Sequence, residues 1–415
     1  MFYTKTVLDS GITVITERMD GVRSVALGIW VAVGSRDETP AEAGLSHFME
    51  HMMFKGTPSR SAVQISESFD RIGAELNAFT SKEYTCYYTR LLDEHAATGL
   101  EILSDMVVNS LFADEAITSE REVVLEEISR YDDAPDEQVH ELFASTLMPD
   151  HPLGLPVIGT KQTVGAFTRA DALSFHDRHY RTGDVVIAAA GAVDHDALVS
   201  LVESALTLPT GPRSERPAVV HMPESRLAVT RKDTEQAHIC WGVEGLSAHH
   251  EDRFILAVLD GILGGGMASR LFQEIREKRG LAYAVYSYHA QYQETGQFVV
   301  YAGTRPDNAR QVVELIRSEI ERMCHDGVTA DELHRVRESI KGQMVLGLES
   351  TRSRMTRLGK SMVTGGELLS LDEIVERVEA VTTEGVHALA KRLFEGNHAL
   401  AMIAPLDEEA LTGLL

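Results

Sequence analysis

The chain has 415 residues, 44% hydrophobic and 25% charged, which is too long for one ordinary core and suits two domains of roughly 200 residues each. Its formal net charge of −24, from 39 basic and 63 acidic residues, excludes a typical nucleic-acid partner, because phosphate binding needs clustered Lys and Arg. No stretch approaches the ~18–20 consecutive apolar residues of a membrane helix, so no membrane role is expected.

The opening MFYTKTVLDSG has no charged region leading into an apolar run and a cleavage site, and it is not an Arg- and Ser-rich presequence. A soluble, cytoplasmic protein is expected. Alternating apolar segments at 13–16 and 25–33 read as strands, and a helical stretch begins near Ala43. A second helix, 61–72, stops at Gly73. Strand-like runs at 75–80 and 84–90 follow, then helices at 94–109 and 117–131, a helix at 169–179, a β-rich run at 184–192 and a helix at 196–205.

Residues 208–225 hold four of the twelve prolines with few apolar residues in phase, which suits an exposed linker. Beyond it the order repeats. A strand at 236–243 precedes helices at 251–263 and 268–279, the latter stopping at Gly280. Strands at 282–289 and 297–302, helices at 308–324 and 330–347, further helices after Arg352 and a strand at 398–403 complete the chain. The recurrence, offset by roughly 210 residues, implies a duplication. Strands mixed with helical pairs favour an α+β class of two similar domains. The expected division is 1–207, linker 208–225 and 226–415.

Cys86, Cys240 and Cys324 are scattered, odd in number and outside any CxxC pair, so they read as inert thiols in a reducing compartment. The acidic balance attracts cationic peptides where the charge lines a cavity, and otherwise serves solubility.

The chemistry concentrates in AGLSHFMEHMMFKGT, residues 43–57. On a helix, His47 and His51 at i and i+4 project from one face and can grip one ion. Glu50 lies between them, within reach of a metal-bound water. Two imidazoles suit zinc, which lowers the pKa of its water and leaves a neighbouring carboxylate to take the proton. The apolar neighbours Leu45, Phe48, Met49, Met52, Met53 and Phe54 indicate a buried helix, where two unpaired histidines are costly. A third ligand is expected from TSEREVVLEEISRYDD, residues 118–133. There Glu120 and Glu127 share one helix face, Glu122 and Glu126 another, and Val123, Val124 and Ile128 form an apolar stripe. Pattern alone does not choose among the four carboxylates.

Together these residues resemble the inverzincin peptidases of the pitrilysin type, near the bacterial members similar to mitochondrial processing peptidase, over essentially the whole chain. In that family the HxxEH helix is followed some 75 residues later by a carboxylate ligand within an E-x6-E pair. Glu127 lies 76 positions after His51. The resemblance therefore implies one Zn2+ per chain on His47, His51 and Glu127, with Glu50 as base and Glu120 orienting a histidine or supporting the base. GAELNAFTSKEYTCYY resembles the family's active-site edge strand, which implies that Asn77, Ala78 and Phe79 face a bound peptide. SRLFQEIREKRGLAYAVYS resembles the segment whose Arg and Tyr hold a substrate carbonyl, here Arg276 and Tyr283. The second half has no HxxEH. DGILGGGMASR (260–270) lacks the ending of a phosphate loop and is similar to the family's glycine-rich loop.

The implied protein is a zinc-dependent endopeptidase acting on peptides or unfolded precursor segments. Its implied assembly is a homodimer closing as a clamshell-like chamber with composite active sites. The rival readings are a peptide-binding or scaffolding subunit without hydrolysis, and a catalytic subunit that needs a separate partner chain.

Overall fold

The computed structural model describes residues 2–149, 151–213, 216, 224–411 and 413–414. Half of the expected linker, 208–225, therefore lies outside the described residues. The fold is α+β, with two sheets that repeat one strand order.

The first sheet contains β1 (Thr4–Val7), β2 (Thr13–Arg18), β3 (Ser24–Val31), β4 (Glu75–Thr80), β5 (Thr85–Leu92) and β6 (Val185–Gly191). Their spatial order is β1-β2-β6-β3-β5-β4, with β2 and β6 parallel and the other pairs antiparallel. The second sheet contains β7 (Arg226–Arg231), β8 (Ala237–Gly245), β9 (Ala282–Gln291), β10 (Gly296–Thr304) and β11 (Ala399–Ala404). Its order is β7-β11-β8-β10-β9, again with the first pair parallel. Apart from β1, each strand has a counterpart in the other sheet. The duplication read from the sequence is thus repeated in topology.

The central strands are apolar on both faces, SVALGIWV in β3 and VVIAAAG in β6, because both faces are covered. One face of the first sheet packs Val25, Leu27 and Ile29 onto Phe48, Leu103, Phe175 and their neighbours. Its other face buries Trp30, Cys86 and Tyr88 beneath Met355 and Leu358. In the second sheet Ile239, Trp241 and Val300 face one core, while Cys240, Val299 and Tyr301 meet Val139, Phe143 and Leu147 on the other side.

The helices covering those outer faces come from the opposite halves of the sequence. One compact unit comprises residues 1–129, 155–217 and 346–370; the other comprises 130–154, 218–345 and 371–415. Helix Thr351–Thr364 thus belongs with the first sheet, and Gly359 lies against the Trp30 indole so closely that an added Cβ would meet it at 2.1 Å. Helix Pro135–Leu147 belongs with the second sheet, where Phe143 fills the space above Gly242. No single cut in the chain separates the two units.

The expected helix at 268–279 is replaced by a π-helical turn over Phe272–Glu277. Such a turn accommodates an extra residue and re-aims the side chains it carries, here including Arg276. Among the described residues no helix is long and apolar enough to cross a membrane.

Candidate metal centre

The HxxEH residues lie on helix Leu45–Met52, whose N-terminus is closed in an unusual way. Gly44 has φ +93°, and a Cβ there would meet Ile158 O at 2.6 Å and Gly159 Cα at 2.8 Å, so only glycine fits. Having no side chain, Gly44 cannot cap the helix. Glu38 does so instead, accepting from Gly44 N–H at 2.8 Å and Ser46 N–H at 2.6 Å. Burial pushes the Glu38 carboxyl up to about 8, against the pull of those N–H groups. The preceding residues are fixed as well. Arg36 pairs with Glu83 at 2.5 Å, and Arg216 grips Asp37 at 2.8 and 2.9 Å, all four side chains being buried.

Leu45, Phe48, Met49 and Met52 turn into the core, leaving His47, Glu50 and His51 half-buried on the other face. Opposite runs helix Asp114–Asp132, anchored by Ile117, Val124 and Ile128. It separates the four carboxylates that pattern left equivalent. Glu122 and Glu126 are exposed, whereas Glu120 is buried and Glu127 is half-buried beside the histidines. Val123, expected in the apolar stripe, is 43% exposed.

His47 Nε2 and His51 Nε2 are 3.2 Å apart, and Glu127 Oε2 lies 3.8 and 3.7 Å from them. With metal–ligand bonds of about 2.0–2.1 Å, two corners of a tetrahedron stand about 3.3 Å apart, so these atoms fit a small divalent ion. Among the described residues this is the one group of three such ligands.

The imidazole chemistry supports the fit. His51 Nδ1 meets Glu120 Oε1 at 2.9 Å, which holds the proton on Nδ1 and turns the Nε2 lone pair toward the shared point. His47 Nδ1 is buried without a partner, so Nε2 is the engaged atom of that ring. Burial pushes His47 down to about 4, with the neighbouring His51 adding to the shift; this ring is therefore neutral near pH 7, as a ligand must be. For His51 burial works in the same direction, but Glu120, Glu127 and Glu50 outweigh it and raise its pKa.

Glu50 is raised above the ordinary carboxylate value, first by burial and further by Glu127, against the Thr80 hydrogen bond and His51. Thr80, the last residue of β4, donates its hydroxyl to Glu50 Oε2 at 2.6 Å. Among the described strands β4 is an edge paired with β5, so its outer side presents backbone groups to which another strand could add; one β4 N–H, that of Ala78, is held by Asn77 Oδ1 at 2.8 Å.

The three β4 residues expected to face a peptide divide between the faces. Ala78 joins the core beneath the HxxEH helix, and Asn77 is exposed. Phe79 packs edge-on against Trp30, with ring centroids 5.5 Å apart, on the opposite face of the sheet. The period of 2 along a strand requires that split. In the second unit Arg276 is sandwiched between the Phe272 and Tyr283 rings, 4.7 Å from each centroid, and donates to Tyr283 O at 2.8 Å. Tyr283, on edge strand β9, is 77% exposed.

Three residues of the site were not singled out from sequence: Glu38, Thr80 and Lys55. Lys55 Nζ forms an ion pair with Glu120 Oε2, completing the chain Lys55–Glu120–His51. Its place four residues after His51, just past the end of the HxxEH helix, was the available signal.

The family model described as insulinase (peptidase family M16) matches residues 13–161, and the one described as peptidase M16 inactive domain matches residues 166–340. The chain is similar to a Bacillus subtilis protein named uncharacterized zinc protease YmxG, with 44% identity covering 95% of this chain and 97% of that one. A Streptomyces coelicolor protein also named an uncharacterized zinc protease is 42% identical over 99% of this chain and 91% of its own. Among solved structures, a protease from Helicobacter pylori superposes with a TM-score of 0.91 at 22% identity, covering 97% of this chain and 99% of the other. A peptidase M16 inactive domain from Pseudomonas fluorescens gives 0.91 at 21% identity, covering 98% and 99%. At those identities the structural likeness concerns the fold alone.

Proposed function

Because the chain belongs to peptidase family M16, we propose that it is a zinc-dependent endopeptidase using His47, His51 and Glu127 as ligands and Glu50 as general base. The observation that carries this reading is the convergence of the three ligand atoms within 4.8 Å, beside the half-buried Glu50 carboxylate held by Thr80. The relatives' names favour zinc over other divalent ions.

An ion held there supplies Lewis acidity, polarising the scissile carbonyl and acidifying water. The chain's own residues do the remainder. A peptide adds as a strand to the free edge of β4, which brings its backbone past Glu50. Glu50 takes the proton of the attacking water on a carboxylate oxygen and returns it to the leaving nitrogen. Thr80 holds the other oxygen, so the base is presented in one orientation. Glu120 keeps the His51 ring turned so that Nε2 faces the ion.

The Arg276 and Tyr283 pair supplies donors for a substrate carbonyl and for the tetrahedral oxyanion. It sits in a unit with no metal cluster among its described residues. We propose that two copies form composite sites, the pair of one chain serving the metal centre of the other. Three free cysteines fit a reducing, cytoplasmic location.

The test is metal analysis of the purified chain beside a fluorogenic-peptide assay, with Glu127→Gln as control. Stoichiometric zinc and hydrolysis, both lost in Glu127→Gln, support the reading. A metal-free, inactive chain favours a scaffolding role instead. Mixing Glu50→Gln chains with Arg276→Ala chains tests composite sites, because recovered activity requires each to supply what the other lacks.

A further inference from the structure

Glu120 is a buried carboxylate, 5% exposed at its side chain, and both of its oxygens are engaged by different partners. Oε1 meets His51 Nδ1 at 2.9 Å and Oε2 pairs with Lys55 Nζ. Lys55 lies just beyond the HxxEH helix, its backbone N–H donating to Met52 O at 3.1 Å, and its side chain is 33% exposed. One ammonium thus reaches inward from the rim of the site to a carboxylate that no other described Lys or Arg touches.

This arrangement rests on the metal reading given above, and within it we propose that Lys55 is a positioning residue for the metal centre. By anchoring one oxygen of Glu120, it keeps the other on His51 Nδ1 and so keeps His51 Nε2 aimed at the ion. The reason is geometric. A carboxylate fastened at both oxygens has one plane and one rotamer. With Oε2 bare, Glu120 must swing toward water to recover a partner, and the His51 bond is what it gives up. Partners that orient a metal-binding histidine in this way are each worth roughly 10–100-fold in metal affinity.

The experiment measures zinc affinity of the full chain by competition with a chromophoric chelator, for wild type, Lys55→Met, Glu120→Gln and the double variant. Circular dichroism and thermal unfolding check that each is folded. The Co2+-substituted proteins are compared by their visible absorption, which reports ligand geometry. Lys55→Met is expected to weaken zinc binding by roughly 10–100-fold and to alter the cobalt spectrum. Adding it to Glu120→Gln is expected to cause no further loss, because Lys55 acts through that carboxylate. Unchanged or tighter zinc binding in Lys55→Met overturns the proposal, and so do additive losses in the double variant. A wild-type chain that takes up no zinc would instead sink the metal reading on which it stands.

Discussion

The Thr80 hydroxyl and the Glu50 carboxylate, 30 residues apart in sequence, meet at 2.6 Å and tie the proposed general base to the end of an edge strand. The same strand is the one proposed to take a peptide along its outer side, so in that reading the base and the peptide share one support. Glu50→Gln should leave zinc content unchanged and lower kcat by roughly 10^2–10^4-fold, as expected for loss of a general base. Thr80→Val should lower kcat by a smaller factor with KM little changed, and Thr80→Ser should restore it. Steady-state kinetics on a fluorogenic peptide checks all three.

Glu38 is the cap of the HxxEH helix, and nothing else among the described contacts serves Gly44 N–H and Ser46 N–H. Glu38→Ala should destabilise the fold by about 1–2 kcal/mol, the usual scale for a lost cap. Because the freed helix end carries His47 three residues on, zinc should also bind more weakly. Denaturant unfolding with and without zinc measures both effects.

Arg216 reaches Asp37 with two nitrogens and also donates to Glu83 O at 2.6 Å. Arg216→Ala leaves a buried carboxylate without its cation, and breaking such a pair costs about 3–5 kcal/mol. A lower urea midpoint with an unchanged m-value is the expected signature.

Glu332 gives the stability a defined pH dependence. Arg270 donates to its two oxygens at 2.7 and 2.9 Å, and the Thr329 N–H adds a bond at 2.8 Å. Burial opposes the charge, but these partners outweigh it and hold the carboxyl at about 2 instead of 4.5. The folded value lies below the unfolded one, so the unfolded chain takes up the proton first as pH falls. The stabilisation is complete above about 4.5 and is lost between there and about 2. Glu332→Gln should remove it, on the order of 2–3 kcal/mol at neutral pH, and flatten that part of the profile. Unfolding curves across the range test this.

Much of the architecture is legible in the sequence because it is periodic. β4 at Glu75–Thr80 and the helices Arg169–His179 and Ala330–Gly347 lie where alternation and helical spacing put them. The histidine pair was readable for the same reason, since i and i+4 fix which way His47 and His51 point. Glu127 was not distinguishable from Glu120, Glu122 and Glu126 by pattern, because which carboxylate meets the histidines depends on how two helices pack. Helix Pro135–Leu147 was missed: Val139, Phe143 and Leu147 are widely spaced among polar residues, and a narrow apolar stripe is a weak signal. The π turn at Phe272–Glu277 has no signature in a pattern of period 3.6. Glu38, Thr80 and Lys55 are polar residues of ordinary surface type, and only their partners give them a role.

The helices that cover the outer sheet faces are borrowed from the far half of the chain, and this sets a constraint on synthesis. Trp30 leaves the ribosome early, yet the methionine and leucine that shield it, Met355 and Leu358, emerge more than three hundred residues later. Until then a nascent chain carries an open apolar face, the kind of surface through which incomplete chains aggregate. A fragment ending before residue 346 would keep that exposed face permanently, whereas adding the missing segment in trans should let it close.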